Sequence, residues 1–184
     1  GMAILANTPR PPAGLTPHDV VHAQGRISVR YYAPSGDLRR TPVVLVPSLI
    51  NRAYILDLEP GRSLVQALAG LGHPTYLVDW GVPQPENGGE DMAATLRLLR
   101  RCIDRVCRHA SASRATLFGY CMGGTIAAMF AARYPERVAA LVTLAAPVRF
   151  AAGGRFGSFV RQLDTNAAFS ADELVPVATM KPAF

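Results

Sequence analysis

The sequence lacks the features that usually mark secreted, membrane-spanning or metal-binding proteins. Its three cysteines, Cys102, Cys107 and Cys121, form no C-x-x-C pair and have no zinc-site spacing to histidine. We therefore expect no metal site, and an odd cysteine count without a pairing pattern is typical of the reducing cytosol. There is no long apolar run, so we expect neither a signal peptide nor a membrane span.

Charge is also sparse, because only 17% of the residues are charged while 49% are apolar. Such a composition excludes a disordered chain and predicts one folded domain. Lysine occurs once, at Lys181, so arginine carries nearly all of the positive charge behind the net +6. Neither an aromatic pattern nor a helix-turn-helix accompanies this charge, which argues against nucleic acid as a partner.

Five arginines share one predicted helix, over residues 90–109. They are Arg97, Arg100, Arg101, Arg105 and Arg108. Two interpretations stay open for them: a solvated helix face, or contact with an anionic partner or the phosphates of a ligand. On the same helix, Cys102 and Cys107 flank the apolar stripe, which predicts small core or boundary residues and not ligands.

Short apolar runs alternate with helical patterns along the chain. The predicted strands are 26–34, 41–48, 74–80, 114–120 and 137–147, and the predicted helices are 63–73, 90–109 and 122–135. Runs such as VVLV and TYLVD are typical of strands buried on both faces. The alternation predicts an α/β fold, with a mostly parallel sheet covered by helices on both faces.

One strand-to-helix junction carries a motif. The stretch LFGYCMGGT, residues 117–125, fits the pattern of a nucleophile between two glycines at a sharp turn. We expect Cys121 to be the nucleophile, held in a strained backbone conformation. Gly119, Gly123 and Gly124 would allow the strand and helix to approach closely.

The same turn predicts an oxyanion hole built from backbone N–H groups. Met122, at the start of the following helix, would supply one donor. A loop after the strand ending near Val46 would supply the second, through Leu49 or Ile50. A cysteine here favours acyl transfer from a thioester, because exchange of one thioester for another keeps the acyl group activated.

Several segments together resemble one family, the poly(3-hydroxyalkanoate) synthases of the α/β-hydrolase fold. They are TPHDVVHAQGRISVRYYAP, TPVVLVPSLINRAYILDLEPGRSLVQALAGLGHPTYLVDWG, LFGYCMGGT and LAAPVRF, covering most of residues 16–150. The resemblance implies an acyltransferase that polymerises (R)-3-hydroxyacyl-CoA through a thioester on Cys121, with acyl-CoA as substrate and no cofactor. It further implies a cytoplasmic enzyme on polyester granules, often a homodimer and in some classes with a second subunit.

The catalytic Asp and His that the resemblance implies are not found. The α/β-hydrolase order places the acid and then the base after the nucleophile, yet no histidine follows His109. The aspartates after Cys121 are Asp164 and Asp172, and neither follows a clear strand. Asp79 ends a predicted strand, where a structural or an acid role is open. His18, His22, His73 and His109 are weak candidates for the base, and His73 is better explained as a helix cap.

We therefore expect 1–184 to be a single partial α/β-hydrolase catalytic domain, truncated before the last strands and most of the cap. Residues 1–17 would be a flexible arm and residues 151–184 the start of the cap region. Two alternatives remain: an α/β-hydrolase thioesterase or esterase, and a non-catalytic truncated domain that dimerises.

Overall fold

A computed structural model describes residues 12–150 together with residues 154, 158 and 162. In that part of the chain the strands are β1 Asp19–Gln24, β2 Ile27–Tyr32, β3 Val43–Val46, β4 Thr75–Asp79, β5 Ala115–Tyr120 and β6 Val138–Leu144. The α-helices are α1 Leu64–Gly70, α2 Met92–His109 and α3 Met122–Arg133. Short 3₁₀ turns occur at Ala53–Leu56, Pro85–Asn87 and Pro135–Arg137.

The six strands form one sheet in the order β1-β2-β4-β3-β5-β6. The pairs β4–β3, β3–β5 and β5–β6 are parallel, whereas β1–β2 and β2–β4 are antiparallel. The mostly parallel sheet expected from the sequence is therefore confirmed, with an antiparallel extension on one side. Because β3, β4 and β5 run in the same direction, the segments after them meet at one edge of the sheet.

The sequence interpretation missed β1, which lies ahead of the strand expected first. Its residues DVVHAQ are mostly exposed or half-buried, so the strand shows no buried apolar run. A turn at Gly25, with φ of 56°, joins β1 to β2 as a hairpin. The structure therefore places His22 inside a strand, whereas the sequence pattern placed it before the first predicted strand.

The expectation that residues 137–147 form a buried strand is wrong in one respect. The strand exists as β6, but only Val138 is half-buried. From Ala139 to Leu144 every residue of the strand is exposed. Strand β6 is the last in the sheet order within the described chain, so only β5 pairs with it there. The apolar side chains of β6 therefore form an exposed surface, on which Leu141, Val142 and Leu144 are accessible to solvent.

The largest part of the core lies between the sheet and helices α2 and α3. Leu99, Ile103 and Val106 of α2 are fully buried against strand residues and α3. Cys102 and Cys107 belong to the same cluster, which confirms them as core residues. Burial raises the pKa of Cys102 to about 12 and also raises the pKa of Cys107.

A buried carboxylate, Asp57, joins three segments. It accepts hydrogen bonds from the backbone N–H and hydroxyl of Thr16 and, at 2.6 Å, from the hydroxyl of Ser63. Ser63 in turn caps α1 by accepting the N–H of Gln66. The backbone N–H of Gly14 donates to the Asp57 carbonyl at 2.6 Å. Residues 14–16, expected to be part of a flexible arm, are therefore attached to the domain.

Helix α1 ends in a motif made by the backbone. Gly72 has a φ of 84°, and its N–H donates to the carbonyl of Ala69. The N–H of His73 donates to the carbonyl of Leu68 at 3.1 Å, which completes a Schellman motif. His73 thus caps the helix through its backbone, while its buried Nδ1 has no hydrogen-bond partner among the described residues.

None of the helices in the described residues combines the length and apolarity needed to span a lipid bilayer.

Candidate functional site

The turn between β5 and α3 contains one residue, Cys121. Its φ of 54° and ψ of −129° lie in a region that residues with a side chain rarely adopt. A conformation of this kind costs about 1–3 kcal/mol and persists only where the surroundings enforce it. The strain expected from the motif is therefore present in the backbone. Cys121 is half-buried, unlike the other two cysteines.

Three glycines make this turn possible through close packing. A Cβ on Gly119 would collide with Gly124 Cα and lie 2.7 Å from the Gly123 carbonyl oxygen. A Cβ on Gly123 would collide with the carbonyl oxygen of Val46 and approach that of Pro47 to 2.6 Å. Because those neighbours are backbone atoms, they cannot move aside cheaply. The glycines thus bring α3 against both β3 and β5.

The end of β6 and the segment after it hold the turn from the other side. The Cys121 N–H donates to the Leu144 carbonyl at 2.8 Å, and the Thr125 hydroxyl donates to the Pro147 carbonyl at 2.8 Å. The Ala146 Cβ lies where a side chain on Gly124 would otherwise fit. Sequence reasoning missed these supports, because nothing in residues 144–147 marks them except their position after a strand.

The N-terminus of α3 lies at Cys121 and presents unpaired N–H groups. Cys121 is the N-cap residue, and within the described part of the chain no side chain caps the helix. The Gly124 N–H donates to the Cys121 carbonyl at 2.8 Å, whereas no acceptor for the Met122 N–H is found in the described part of the chain. A helix N-terminus carries a partial positive charge, so this end of α3 favours an anion.

In the loop after β3, the backbone N–H groups of Leu49 and Ile50, the two proposed second donors, differ in their hydrogen bonding. The Ile50 N–H donates to the hydroxyl of Ser48 at 3.1 Å, and Ser48 is fully buried. No acceptor for the Leu49 N–H is present among the described residues. Of the two, Leu49 therefore has the available donor. The sequence did hold a signal for this bond, because a serine in a loop often accepts the backbone N–H two residues later, as Ser48 does from Ile50.

A cavity of about 160 Å³ lies beside the Leu49 loop. Its lining comprises Arg26, Leu49, Trp80, Gly81, Pro83, Asn87, Glu90, Thr95 and Leu98. Arg26 crosses it, donating to the Trp80 carbonyl at 2.6 Å and pairing with Glu90. Cys121 does not line this cavity.

Asp79 lies at the same edge of the sheet as Cys121 but has structural partners. It forms an ion pair with Arg30 of β2 and accepts the Gly81 N–H at 2.9 Å. The Trp80 indole N–H donates to the Pro47 carbonyl at 2.9 Å. These contacts favour the structural role for Asp79, in which it anchors the chain around Trp80.

Three of the four histidines lie near the opposite edge of the sheet from Cys121. His73 precedes β4, and His109 Nδ1 is 2.8 Å from the hydroxyl of Tyr76, the second residue of that strand. His18 precedes β1, whose first residue aligns through β2 with Tyr76. These positions are at the amino ends of the parallel strands, whereas Cys121 follows the carboxyl end of β5.

His22 is separated from Cys121 across the sheet. It lies in β1, four strands from β5, which is about 19 Å at the usual strand spacing. In the described residues no side chain hydrogen-bonds to the Cys121 sulfur. The structure thus brings together Cys121, Met122 and the Leu49 loop, but no histidine. Asp164 and Asp172 lie outside the described residues.

Comparison with known proteins identifies the fold family. Residues 41–173 match the family model described as alpha/beta hydrolase fold. The chain belongs to the α/β-hydrolase family. Residues 13–68 of this α/β hydrolase also match the model described as Poly-beta-hydroxybutyrate polymerase (PhaC) N-terminus.

Curated relatives confirm the resemblance to poly(3-hydroxyalkanoate) synthases. The chain is 38% identical over 143 residues to the poly(3-hydroxyalkanoate) polymerase subunit PhaC of Haloferax mediterranei, covering 74% of this chain and 28% of that protein. It is 31% identical over 176 residues to the subunit of the same name from Thiocystis violacea, covering 91% of this chain and 48% of that protein. This α/β hydrolase therefore spans less than half the length of these relatives.

Solved structures agree on the fold. A CIB-like hydrolase from Thermoplasma acidophilum superposes with a TM-score of 0.53 at 16% identity, covering 72% of this chain and 64% of that one. The α/β hydrolase MGS-MChE2, from a sediment metagenome, superposes with a TM-score of 0.52 at 18% identity, covering 83% and 64%. At such low identity these similarities establish the fold alone.

Proposed function

We propose that this chain is the nucleophile-bearing part of an acyltransferase that polymerises (R)-3-hydroxyacyl groups from CoA thioesters. The observation that carries the proposal is Cys121, held at φ 54° between β5 and α3 in a chain similar to poly(3-hydroxyalkanoate) polymerases. A thiol at this turn suits acyl transfer better than hydrolysis, since the enzyme-bound thioester remains activated.

In the first step the Cys121 sulfur, as thiolate, attacks the carbonyl carbon of the acyl-CoA thioester. The C–S bond to CoA breaks, CoA leaves as a thiolate that takes up a proton, and the acyl group remains on Cys121. The Met122 and Leu49 N–H groups stabilise the oxyanion that forms between these two events. In the second step the hydroxyl of another 3-hydroxyacyl group attacks this thioester, loses its proton to a base and displaces the sulfur.

In this proposal, none of the four histidines of the chain is the general base for either step. The strand register supports this, because it sets three histidines near the opposite edge of the sheet and His22 about 19 Å away. The catalytic Asp and His would then belong to polypeptide that completes the site. Asp79 is proposed as a structural residue, given its ion pair with Arg30.

We further propose that the chain forms a homodimer and acts in the cytoplasm at the surface of polyester granules. The exposed strand β6 supports association, since an open strand edge with apolar side chains is a ready pairing site. Buried, unpaired cysteines suit a reducing compartment. A second subunit of a different kind is another candidate partner for the same edge.

Intact-mass spectrometry after incubation with (R)-3-hydroxybutyryl-CoA tests the nucleophile. Because the base for acylation is missing from the chain alone, we expect an adduct of one hydroxybutyryl group per chain to form slowly, with little turnover. The adduct should be absent in Cys121→Ala and retained in Cys107→Ala. An adduct that survives Cys121→Ala would contradict the assignment. Rapid CoA release by the chain alone would contradict the external base, and free acid as the only product would favour a thioesterase.

A further inference from the structure

Helix α2 presents four arginines on its outer face. They are Arg97, Arg101, Arg105 and Arg108, here called the arginine stripe, and all four are exposed. At 100° per residue they fall within about 80° of one another, opposite the buried face of the helix. Along the axis they span about 16 Å. The stripe is therefore a continuous line of positive charge on a convex surface.

The acidic groups near the stripe are already engaged. Asp104 accepts from Arg100 at 3.1 Å and is paired with Arg137 at the same distance. Glu136 is also 3.1 Å from Arg100. Neither carboxylate is therefore left to neutralise the stripe.

Acidic groups at the start of α2 are used as well. Asp91 caps the helix by accepting the Ala94 N–H at 2.6 Å, and Glu90 pairs with Arg26. The charge of the stripe is thus not balanced by acids from either end of its own helix.

The guanidinium groups of the stripe have few partners. Arg105 donates through Nε to the Val21 carbonyl at 2.9 Å, and Arg108 donates through Nε to the Asp104 carbonyl at 3.3 Å. For Arg97 and Arg101 no side-chain partner is found in the described residues. Burial, and then the charges of Arg105 and Arg108, lower the pKa of His22 on the neighbouring strand β1. The positive potential of the stripe thus reaches the adjoining strand.

The chemistry of this face favours one kind of partner. Protein interfaces have an apolar centre depleted of charge, whereas from Arg97 to Arg108 the exposed residues of α2 are the four arginines themselves. One pocket meets the stripe at its Arg108 end, where Asp104, Cys107 and Arg137 also line it, whereas Arg97, Arg101 and Arg105 do not. Guanidinium groups bind phosphate oxygens in a forked geometry, and a row of them matches phosphates repeated across a surface.

We propose that the arginine stripe docks the protein onto an anionic phospholipid surface. The contact is peripheral and electrostatic, with α2 lying along the headgroups and no part of it inserted. Each arginine near such a surface adds attraction that salt screens. This inference is independent of the reaction proposed for Cys121.

Co-sedimentation with vesicles tests the proposal, using equal parts of phosphatidylcholine and phosphatidylglycerol against phosphatidylcholine alone. We expect binding only to the anionic vesicles, decreasing as salt is added. Arg97→Gln with Arg101→Gln should weaken binding roughly thirtyfold. Arg39→Gln with Arg40→Gln is the matched control, because it removes the same charge from exposed positions elsewhere and should weaken binding far less.

Several results would overturn the proposal. Equal binding to both kinds of vesicle would exclude recognition of the anionic headgroup. Equal weakening by the two double variants would mean that binding depends on the net charge of the protein and not on the arginine stripe. Full competition by inorganic phosphate at the same phosphate concentration, or tighter binding to polyglutamate than to vesicles, would identify a different ligand. Circular dichroism of each variant establishes that α2 is intact.

Discussion

At the scale of single residues, position in the fold separates three chemically identical thiols. Cys121 is half-buried at a strained turn, whereas Cys102 and Cys107 are buried in the core between α2 and the sheet. Removing a thiolate from water is unfavourable, so burial raises the pKa of both core cysteines. Reactivity in the folded protein should therefore be confined to Cys121.

Alkylation with iodoacetamide tests this difference. In the native protein we expect one modified site, Cys121, by peptide mass spectrometry. Cys102, with a pKa of about 12, should remain unmodified as pH rises past the usual thiol range near 8.5, and should react only after unfolding. Early modification of Cys102 at moderate alkaline pH would show that the core opens more readily than the packing indicates.

Two glycines allow a matched test of close packing. A methyl group on Gly123 would meet the carbonyl oxygens of Val46 and Pro47, so Gly123→Ala should lower the free energy of unfolding by about 3 kcal/mol. Gly70 ends α1 with open space around its missing Cβ, so Gly70→Ala should be neutral or stabilise by about 0.5–1 kcal/mol. Urea unfolding measures both, and a similar loss for both would contradict the packing argument.

At the scale of elements, loops are positioned by polar groups as much as by apolar contacts. Asp57 connects residues 14–16 to the N-cap of α1 and to the 3₁₀ turn Ala53–Leu56. That turn follows the loop of Leu49 and Ile50. The buried carboxylate of Asp57 thus holds the chain that follows the proposed oxyanion loop against α1 and residues 14–16.

Replacing Asp57 tests this connection. Asp57→Ala leaves the Thr16 and Ser63 donors without their acceptor, and should cost about 2–3 kcal/mol. Asp91→Ala also removes a helix-cap interaction, but at an exposed site, and should cost about 1 kcal/mol. Denaturant unfolding compares the two, and an equal cost would mean that the Asp57 network adds nothing beyond capping.

At the scale of the whole molecule, the two sides of the sheet differ. The hairpin β1–β2 completes one side, and half of the six residues of β1 are polar. On the other side β6 has an apolar sequence, VAALVTL, with most of its side chains exposed. A strand of this composition is unfavourable in water, so it provides a driving force for association.

Sedimentation velocity tests the proposed dimer and its location. Val142→Lys places a charge on exposed β6 and should shift the protein towards the monomer. Val20→Lys adds the same charge on β1 at the other side of the sheet and should leave the association unchanged. A monomeric parent protein, or an equal effect of both variants, would contradict association through β6.

Much of the architecture followed from local pattern. Buried strands such as VVLV and TYLVD, the stripe of α2 and the glycines at residues 119–124 each depend on neighbours in sequence, so the order of elements was predictable. Strand β1 was not, because a partly exposed strand pairs through its backbone and leaves little trace in side-chain pattern. The apolar composition of β6 predicted a buried strand, and only its place at the end of the sheet order in the described residues explains its exposure.

The sequence alone determined the α/β class, the turn that carries Cys121, and the absence of a histidine after His109. These follow from residue types and their spacing along the chain. Only the tertiary structure decided which N–H groups remain available, that Asp79 pairs with Arg30, and that the histidines lie away from Cys121. Such facts depend on strand register and on contacts between residues distant in sequence, which spacing along the chain does not encode.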